Sequence, residues 1–317
     1  RFSPPIRGIT QGYTSVIRRP LCFEVDMTPA QETLVAGIIA QLECGTAPWI
    51  RPWSTSGISD MPHNLATQRA YNGVNVLQLW ITQTACGYAT AEWCTFQQAK
   101  SLGASVRKGE HGTPVWFIAP RVASKTSAID DDDRTPNGMT FKQYTVFNRD
   151  QCDGVPPLAA VEPVPPFTPI ANAEAYVAAI GAEIRIGGDS AYYTPASDSI
   201  ACPQPEQFVN VSAFYATLLH EHIHWTGSPK RLDRTFGKRF GDDAYAFEEL
   251  VAELGAAFLT AQLALPGELR HIEYLGNWAR VLRADPKALW TAASAATRAT
   301  TFLDSAAGVI DEHETAA

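Results

Sequence analysis

The chain has 317 residues, of which 45% are hydrophobic and 18% are charged, so neither an intrinsically disordered protein nor a fibrous repeat is expected. No stretch approaches the roughly 20 apolar residues of a membrane helix, and we expect a cytoplasmic protein that contacts no membrane. The net charge of −8 lies entirely after residue 169, where 11 Lys and Arg stand against 19 Asp and Glu. A uniformly basic nucleic-acid-binding protein is therefore excluded, and any DNA contact must rely on local cations and aromatic rings.

Proline content divides the chain into two domains. Residues 155–169 contain six prolines and predict a linker between a domain at 27–154 and a domain at 170–317. Residues 121–140 include four consecutive aspartates without apolar periodicity, which predicts a solvated loop inside the first domain. Six cysteines without a CxxC pair are expected to be small buried hydrophobes rather than a disulfide or zinc framework.

The first predicted helix begins next to Met27. Thr28 is a suitable N-cap, followed by proline at the first helical position and by Gln31 at the third, and apolar residues keep helical spacing up to Gly45. Residues 1–26 show no such period and begin with Arg rather than Met. Two interpretations stay open for them: an extension that is not native, with Met27 as the biological start, or a genuine flexible arm.

The remaining pattern predicts an α+β fold, with an α+β first domain and a mostly α second domain. In the first domain, helices are predicted at 75–84 and 95–102, and antiparallel strands at 114–118 and 144–147. In the second domain, a small sheet is predicted near 182–186 and 191–194, and helices at 211–225, 244–265, 268–283 and 286–303.

A metal-binding pattern lies in the second domain, where residues 220–224 are His-Glu-His-Ile-His within a helical run. Positions i and i+4 share one helix face, so His220 and His224 can direct ring nitrogens at one cation, and Glu221 can act as a general base toward water. His222 points about 200° around the helix and is not expected to be a ligand. The pattern predicts a zinc site of metallopeptidase type, although Mn²⁺ or Co²⁺ suits the same ligands. The competing interpretation is a helix with surface histidines.

A catalytic site of this type needs a third protein ligand, and the next helix offers three acids. Glu249 followed four residues later by Glu253 has the spacing in which one carboxylate binds the metal and the other orients a ligand histidine. We predict Glu249 as the ligand and Glu253 as the orienting residue, while Glu248 and Glu253 stay open as alternative ligands. Further candidates, for stabilising a developing oxyanion, are Tyr245, His271 and Tyr274.

Aromatic and basic residues lie in irregular segments of the first domain. Large rings on a proline-stiffened loop predict a stacking surface for unpaired bases, and the turn after Arg107 offers a cation and backbone N–H groups to a phosphate. The predicted residues for binding single-stranded DNA are Trp49, Arg51, Trp53, Arg69, Tyr71, Asn75, Trp93, Arg107 and Lys108. The alternative is a tryptophan-rich packing cluster with a β-turn.

Several motifs together carry a family resemblance over about residues 27–303. They are Pro48-Trp49 with Pro52-Trp53, Arg69-Ala-Tyr71-Asn-Gly73-Val-Asn75, Trp93-Cys-Thr95-Phe96, Leu218-Leu-His-Glu-His-Ile-His-Trp-Thr-Gly227, and Tyr245-Ala-Phe-Glu-Glu-Leu-Val-Ala-Glu253. In this order they resemble the ArdC antirestriction proteins and the related N-terminal region of TraC-type plasmid primases. Neither residues 1–26 nor the acidic loop near Asp130 takes part in the resemblance.

The resemblance implies an N-terminal domain that binds single-stranded DNA and a C-terminal zincin-like metallopeptidase domain with one divalent metal. It also implies a bacterial protein of a mobile element, such as a conjugative plasmid, that protects incoming DNA from host restriction. Two alternatives stay open: a cytoplasmic zinc metalloprotease that cleaves a specific regulator and recognises protein through its N-terminal domain, and a purely structural metal site. The sequence predicts neither a protein substrate nor an oligomeric state.

Overall fold

The structure is a computed structural model that describes residues 27–49, 61–120, 139–155, 168–235, 243–265 and 274–310. The predicted extension at 1–26, most of the acidic loop and of the linker, and the predicted site residues Arg51, Trp53 and His271 lie outside these ranges. The described part of the chain is α+β, as predicted. None of its helices has the length and apolar character needed to cross a membrane.

Capping boxes begin two helices of the first domain, as the sequence predicts. Helix α1 (Pro29–Glu43) begins after Thr28, whose hydroxyl accepts from the Gln31 backbone while the Gln31 side chain accepts from the Thr28 N–H. Thr95 and Gln98 form the same reciprocal pair at the start of α3 (Phe96–Ser101). Between them, α2 (Val74–Cys86) ends at Gly87, which adopts the left-handed conformation (φ 67°) that glycine tolerates.

A four-stranded sheet forms the centre of the first domain, in the order β1-β2-β5-β4. Its strands are β1 (His63–Asn64), β2 (Glu92–Thr95), β4 (Thr113–Pro120) and β5 (Met139–Asn148). The predicted antiparallel pairing of the last two is confirmed, with Val115 opposite Tyr144. The short strands β3 (Ser105–Val106) and β6 (Cys152–Asp153) pair separately.

The second domain places a small sheet beside a set of helices. Its sheet has the order β7-β9-β8, and the central strand β9 pairs in parallel with β7 and antiparallel with β8. The strands are β7 (Glu183–Ile186), β8 (Tyr192–Thr194) and β9 (Ser199–Cys202). The helices are α4 (Thr168–Ile180), α5 (Val211–Thr226), α6 (Asp243–Gln262), α7 (Leu275–Ala284) and α8 (Ala288–Ala306). The sequence pattern did not predict α4 or β9.

One hydrophobic core extends through both domains. Helix α1 packs against α7, and the Gly73 N–H donates to the Thr297 hydroxyl across the boundary at 2.9 Å. Three aromatic pairs with ring centroids 5.6–6.0 Å apart join the domains: Trp49–Trp278, Trp80–Phe258 and Trp116–Trp290. Because aromatic side chains bury large apolar areas, these pairs hold the domains in a fixed relative position.

Helices α5 and α6 approach each other closely at Gly255. A Cβ atom at this position would lie 2.6 Å from Cδ1 and 2.8 Å from Cγ1 of Ile223. Ile223 is fully buried, so its side chain has no free space in which to move aside. Glycine at 255 therefore sets the separation between the two helices that carry the candidate metal ligands.

The cysteines follow the sequence expectation only in part. Cys94 and Cys202 are buried, and burial raises the pKa of each thiol to about 12. Cys44 and Cys86 are exposed, which corrects the expectation that the cysteines are buried hydrophobes. Each lies at the C-terminal end of a helix, where the chain turns toward solvent.

Candidate metal centre

Two histidines of α5 face each other across one helical turn. The helix begins at Asn210, whose side chain accepts from the Ala213 N–H, and its final turns are buried beneath α6. The Nε2 atoms of His220 and His224 lie only 3.1 Å apart. The i, i+4 spacing therefore brings both imidazoles to a single point, as the sequence predicts.

Glu249 brings a carboxylate from α6 to the same point. Its Oε2 lies 3.6 Å from His220 Nε2, and its Oε1 lies 3.5 Å from His224 Nε2. One ligand atom from each of the three residues lies within 4.8 Å of the other two. Two nitrogens and one oxygen in this arrangement match the His₂Glu donor set of catalytic zinc sites.

Two further acids of α6, Glu248 and Glu253, lie on the Nδ1 side of the histidine rings. Glu253 Oε2 lies 3.5 Å from His220 Nδ1, and Glu248 Oε1 lies 3.2 Å from His224 Nδ1. A carboxylate at Nδ1 favours the tautomer that carries its proton there, so the lone pairs of both Nε2 atoms converge. Converging lone pairs repel each other unless a proton or a metal ion lies between them, and the two nitrogens with the carboxylate of Glu249 fit a divalent metal.

The electrostatics of the cluster favour positive charge at its centre. Burial lowers the pKa of His220, but hydrogen bonds to Glu249 and Glu253 outweigh burial and raise it to about 10. Burial raises the pKa of Glu249, and hydrogen bonding to His220 with the charges of both histidines reverses the shift to a net lowering. The carboxylates of Glu248 and Glu249 are thus held ionised beside the imidazoles.

Arg234 anchors Glu248, a feature that the sequence analysis missed. Its Nη2 donates to Glu248 Oε1 at 2.8 Å and its Nε donates to Oε2 at 3.0 Å. The same guanidinium donates to the Thr226 hydroxyl and the Ile223 carbonyl, so it is fixed to the end of α5. An arginine shortly after the histidine motif, with an acid pair on the next helix, is the sequence signal that could have indicated this role.

The segment after α5 is tied to the small sheet by a second arginine. Arg231 pairs with the Asp198 carboxylate, donates to the Tyr193 hydroxyl, and lies 3.8 Å above the ring of Trp225. The hydrogen bonds from Arg231, the largest contribution, and from Tyr193 lower the pKa of Asp198 and outweigh burial, which raises it. The turn that presents Arg234 is therefore fixed against strands β8 and β9.

A cleft of about 600 Å³ opens onto the histidines. Glu221 lines it together with Tyr245 and Tyr274, whose hydroxyl oxygens lie 3.3 Å apart. Burial, with the hydrogen bond to Tyr274, raises the pKa of Tyr245, so its hydroxyl stays protonated at neutral pH. The cleft is large enough for a small molecule or a short peptide segment.

His222 lies apart from the ligand group. It is fully buried, its Nδ1 lies 2.7 Å from the Leu218 carbonyl oxygen, and burial lowers its pKa to about 4. A neutral imidazole on the opposite side of α5 agrees with the sequence expectation that His222 is not a ligand.

Several residues predicted to bind single-stranded DNA are core residues instead. Trp49 is 1% exposed and Trp93 is 0% exposed, so neither indole offers a face to a base. Asn75 is also buried, and its side-chain amide bonds both the N–H and the carbonyl of Trp116. The expectation of a stacking surface at these positions is therefore corrected, because Trp93 and Asn75 are buried and Trp49 packs on Trp278 of the second domain. Tyr71 is buried as well, at its hydroxyl end against Asn64.

Three of the predicted cations, Arg69, Arg107 and Lys108, lie in the described residues and are exposed. Arg107 pairs with Glu110 and Asp153 in the turn before β4. Arg69 and Lys108 are exposed and form no ion pair with the described residues. The structure thus leaves these two side chains available to an anionic partner.

Family models match both parts of the chain. Residues 28–147 match the N-terminal domain of anti-restriction factor ArdC, and residues 171–295 match a zincin-like metallopeptidase. The uncharacterized protein y4eC of Sinorhizobium fredii is 41% identical over 276 residues, which cover 85% of this chain and 89% of that protein. A DNA primase TraC of Escherichia coli is 38% identical over 295 residues, which cover 87% of this chain but only 27% of the primase.

Solved structures of a plasmid protein share the fold. The metal-free crystal structure of antirestriction protein ArdC from the R388 plasmid has a TM-score of 0.73 at 36% identity, covering 90% of this chain and 100% of that one. The Mn(II)-bound structure of the same protein has a TM-score of 0.70 at 36% identity, covering 89% of this chain and 98% of that one.

Proposed function

Because the chain belongs to the ArdC family of antirestriction proteins, we propose that it binds single-stranded DNA in the bacterial cytoplasm and protects it from restriction. The zincin-like domain adds a site for one divalent metal, Zn²⁺ in the first instance, with Mn²⁺ or Co²⁺ as alternatives. The first domain contacts DNA, and the second domain carries out the metal chemistry.

The observation that supports the metal site most strongly is the convergence of three donor groups. His220 Nε2 and His224 Nε2 lie 3.1 Å apart, and both oxygens of Glu249 lie within 3.6 Å of them. Glu253 contacts Nδ1 of His220 and Glu248 contacts Nδ1 of His224, so each ring is held in its orientation. We assign His220, His224 and Glu249 as ligands and Glu253 as the residue that orients His220.

A divalent metal in such a site supplies Lewis-acid polarisation of a carbonyl and lowers the pKa of water. The chain itself supplies the remaining functions. Glu221 lines the cleft and accepts a proton from the attacking water, as the glutamate of this motif does in metallopeptidases. The Tyr245 hydroxyl, protonated and beside the ligands, donates a hydrogen bond to a developing oxyanion.

Metal titration tests the ligand assignment. Calorimetric titration of the apo protein with Zn²⁺ and Mn²⁺ is expected to give one site, and His220→Ala, His224→Ala or Glu249→Gln is expected to abolish tight binding. Glu221→Gln is expected to retain it, because Glu221 is not a ligand. His111→Ala in the first domain serves as the matched histidine control. Undiminished binding in all three ligand variants would refute the assignment.

DNA binding tests the first domain. We expect wild-type protein to bind a labelled oligothymidylate with an affinity that falls as salt rises, because cations contacting phosphates release counterions. A duplex of the same length is expected to bind more weakly. Lack of measurable binding at low salt would refute the DNA-binding part of the proposal and leave the metal site untouched.

The cleft supports a second candidate function, hydrolysis of a specific cytoplasmic protein recognised through the first domain. Glu221→Gln separates the two candidates, because it retains the metal ligands and removes the general base. If this variant protects incoming DNA as well as wild type does, hydrolysis is dispensable for protection. If protection is lost while folding, metal content and DNA binding are intact, protection requires proteolysis.

A further inference from the structure

Two aromatic rings on the four-stranded sheet of the first domain are exposed to solvent. Phe117 on β4 is 44% exposed and Tyr144 on β5 is 46% exposed, and their ring centroids lie 5.5 Å apart in an edge-to-face arrangement. Phe117 also contacts Tyr71, at 6.4 Å between centroids. Tyr71 is buried, so we call only Phe117 and Tyr144 the aromatic face.

Strand register places a lysine on the same side of the sheet. Lys142 lies directly opposite Phe117, and Tyr144 lies two residues further along β5. Residues opposite each other in an antiparallel pair point to the same side, and so do residues i and i+2 of one strand. An exposed ammonium group therefore stands beside the exposed rings.

The opposite side of the same hairpin is used for packing. Trp116, next to Phe117 along β4, packs edge-to-face on Trp290 of the second domain and is 4% exposed. The hairpin thus buries one aromatic side chain to join the domains and presents the next to solvent. Exposed aromatic clusters of this kind are typical of interaction surfaces, because an isolated protein gains nothing from leaving the rings in water.

Basic residues outnumber acidic residues in the two described segments that contain the aromatic face. In the described segments 61–120 and 139–155, every carboxylate is engaged: Glu92 with Arg149, Glu110 and Asp153 with Arg107, and Asp150 with the Ala89 N–H. The cations of these segments that form no ion pair with the described residues are Arg69, Lys100, Lys108 and Lys142. These two segments therefore carry a net positive charge, and Lys142 is the cation that strand register places beside the aromatic face.

We infer that the aromatic face, with Lys142, is the surface on which unpaired bases of single-stranded DNA stack. Exposed rings beside unpaired cations match the combination by which proteins hold single strands without reading their sequence. A duplex hides the faces of its bases, so the rings favour the single strand. This inference rests on the proposed function and replaces the buried indoles of Trp49 and Trp93 with rings that a base can reach.

Fluorescence anisotropy with labelled oligothymidylate tests the inference. Phe117→Ala and Tyr144→Ala are each expected to raise Kd about 5- to 100-fold, the range found when a base-stacking ring is removed. Phe117→Tyr and Tyr144→Phe are expected to bind within about 2-fold of wild type, because they keep the ring. Lys142→Ala is expected to reduce the slope of log Kd against log salt by about one phosphate contact.

The controls separate stacking from loss of structure or of charge. Phe96→Ala removes a phenylalanine of the same domain that is at least as exposed as Phe117 but lies outside the aromatic face, and it is expected to bind like wild type. A labelled abasic strand has phosphates but no bases, so Phe117→Ala and Tyr144→Ala are expected to bind it as wild type does. Thermal unfolding of each variant verifies the fold.

The outcomes distinguish this inference from the function on which it rests. Wild-type protein that does not bind oligothymidylate would refute the proposed function and the inference together. Wild-type binding that Phe117→Ala and Tyr144→Ala leave unchanged would refute the aromatic face alone. Equal losses on the abasic strand, or an equal loss in Phe96→Ala, would also overturn it, because base stacking on these rings predicts neither.

Discussion

Replacing Gly255 by alanine tests the proposal that one close contact sets the spacing of the helices that carry the proposed metal ligands. The added Cβ would lie 2.6 Å from Ile223 Cδ1, 2.8 Å from Cγ1 and 3.2 Å from Cγ2, so rotating one methyl group away is not sufficient. Overpacking of this kind costs about 1–3 kcal/mol. Alanine recovers about 1 kcal/mol of helix propensity relative to glycine. We therefore expect a net loss of about 1 kcal/mol in the free energy of unfolding.

In the Ile223→Ala background, the expected effect of Gly255→Ala on the free energy of unfolding has the opposite sign. Ile223→Ala alone costs about 2–5 kcal/mol by leaving a cavity. In that background the clash is absent, so Gly255→Ala is expected to stabilise the protein by about 1 kcal/mol through helix propensity. The coupling between the two positions is then about 2 kcal/mol, which is within the range of contacting core residues. Gly37→Ala in α1 is the matched control, because a Cβ there meets no atom within 4 Å and stabilisation is expected in either background.

Urea unfolding followed by tryptophan fluorescence gives the four free energies of the cycle, and calorimetric titration with Zn²⁺ gives the metal affinity of each variant. Gly255→Ala in the wild-type background is expected to weaken metal binding, because it separates Glu249 on α6 from the histidines on α5. If Gly255→Ala stabilises the wild-type protein as Gly37→Ala does, the contact between position 255 and Ile223 does not determine the spacing of α5 and α6.

Three further predictions concern Arg234, Asp304 and the cysteine thiols. Arg234→Lys is expected to weaken Zn²⁺ binding about 10- to 100-fold in calorimetry, because lysine cannot hold both oxygens of the carboxylate that orients a ligand histidine; unchanged affinity would contradict this role. Burial raises the pKa of the Asp304 carboxyl above its usual value, so the group stays protonated to a higher pH in the folded state than in the unfolded state. The free energy of unfolding therefore falls as pH rises from the unfolded-state pKa to the folded-state pKa of this group. Asp304→Asn is therefore expected to gain melting temperature relative to wild type between pH 4 and pH 7, and a constant difference would argue against burial as the cause. At pH 8, a thiol reagent is expected to modify Cys44 and Cys86 rapidly and Cys94 only on unfolding, which mass spectrometry of the labelled peptides can follow.

Local chemistry made part of the fold predictable. The capping boxes at Thr28 and Thr95 act within four residues, and both helices begin where the sequence indicates. The spacing of His220 and His224 likewise needs only a helix to bring the two rings together. Strand β9 was missed because its role as the central strand depends on pairing with β7 and β8, which periodicity within a four-residue segment cannot indicate.

Interactions between distant residues account for the wrong predictions. Trp49 lies on an irregular segment, which favours exposure, but its ring packs on Trp278, more than two hundred residues later in the chain. Sequence spacing favoured Glu249 but could not exclude Glu248 or Glu253, because their order around the histidines depends on how α6 is rotated against α5. Glu248 takes its position because Arg234, across the turn, binds both of its oxygens.

The aromatic pairs that join the domains also bear on how such a chain is inherited. A recombination event that separated the two halves would leave Trp49, Trp80 and Trp116 on one product, and Trp278 and Trp290 on the other, without their packing partners. Neither product would keep a closed interior, so selection should preserve the pair as one transferable unit. The Escherichia coli primase agrees with this expectation, since 87% of this chain aligns together within 27% of the longer protein.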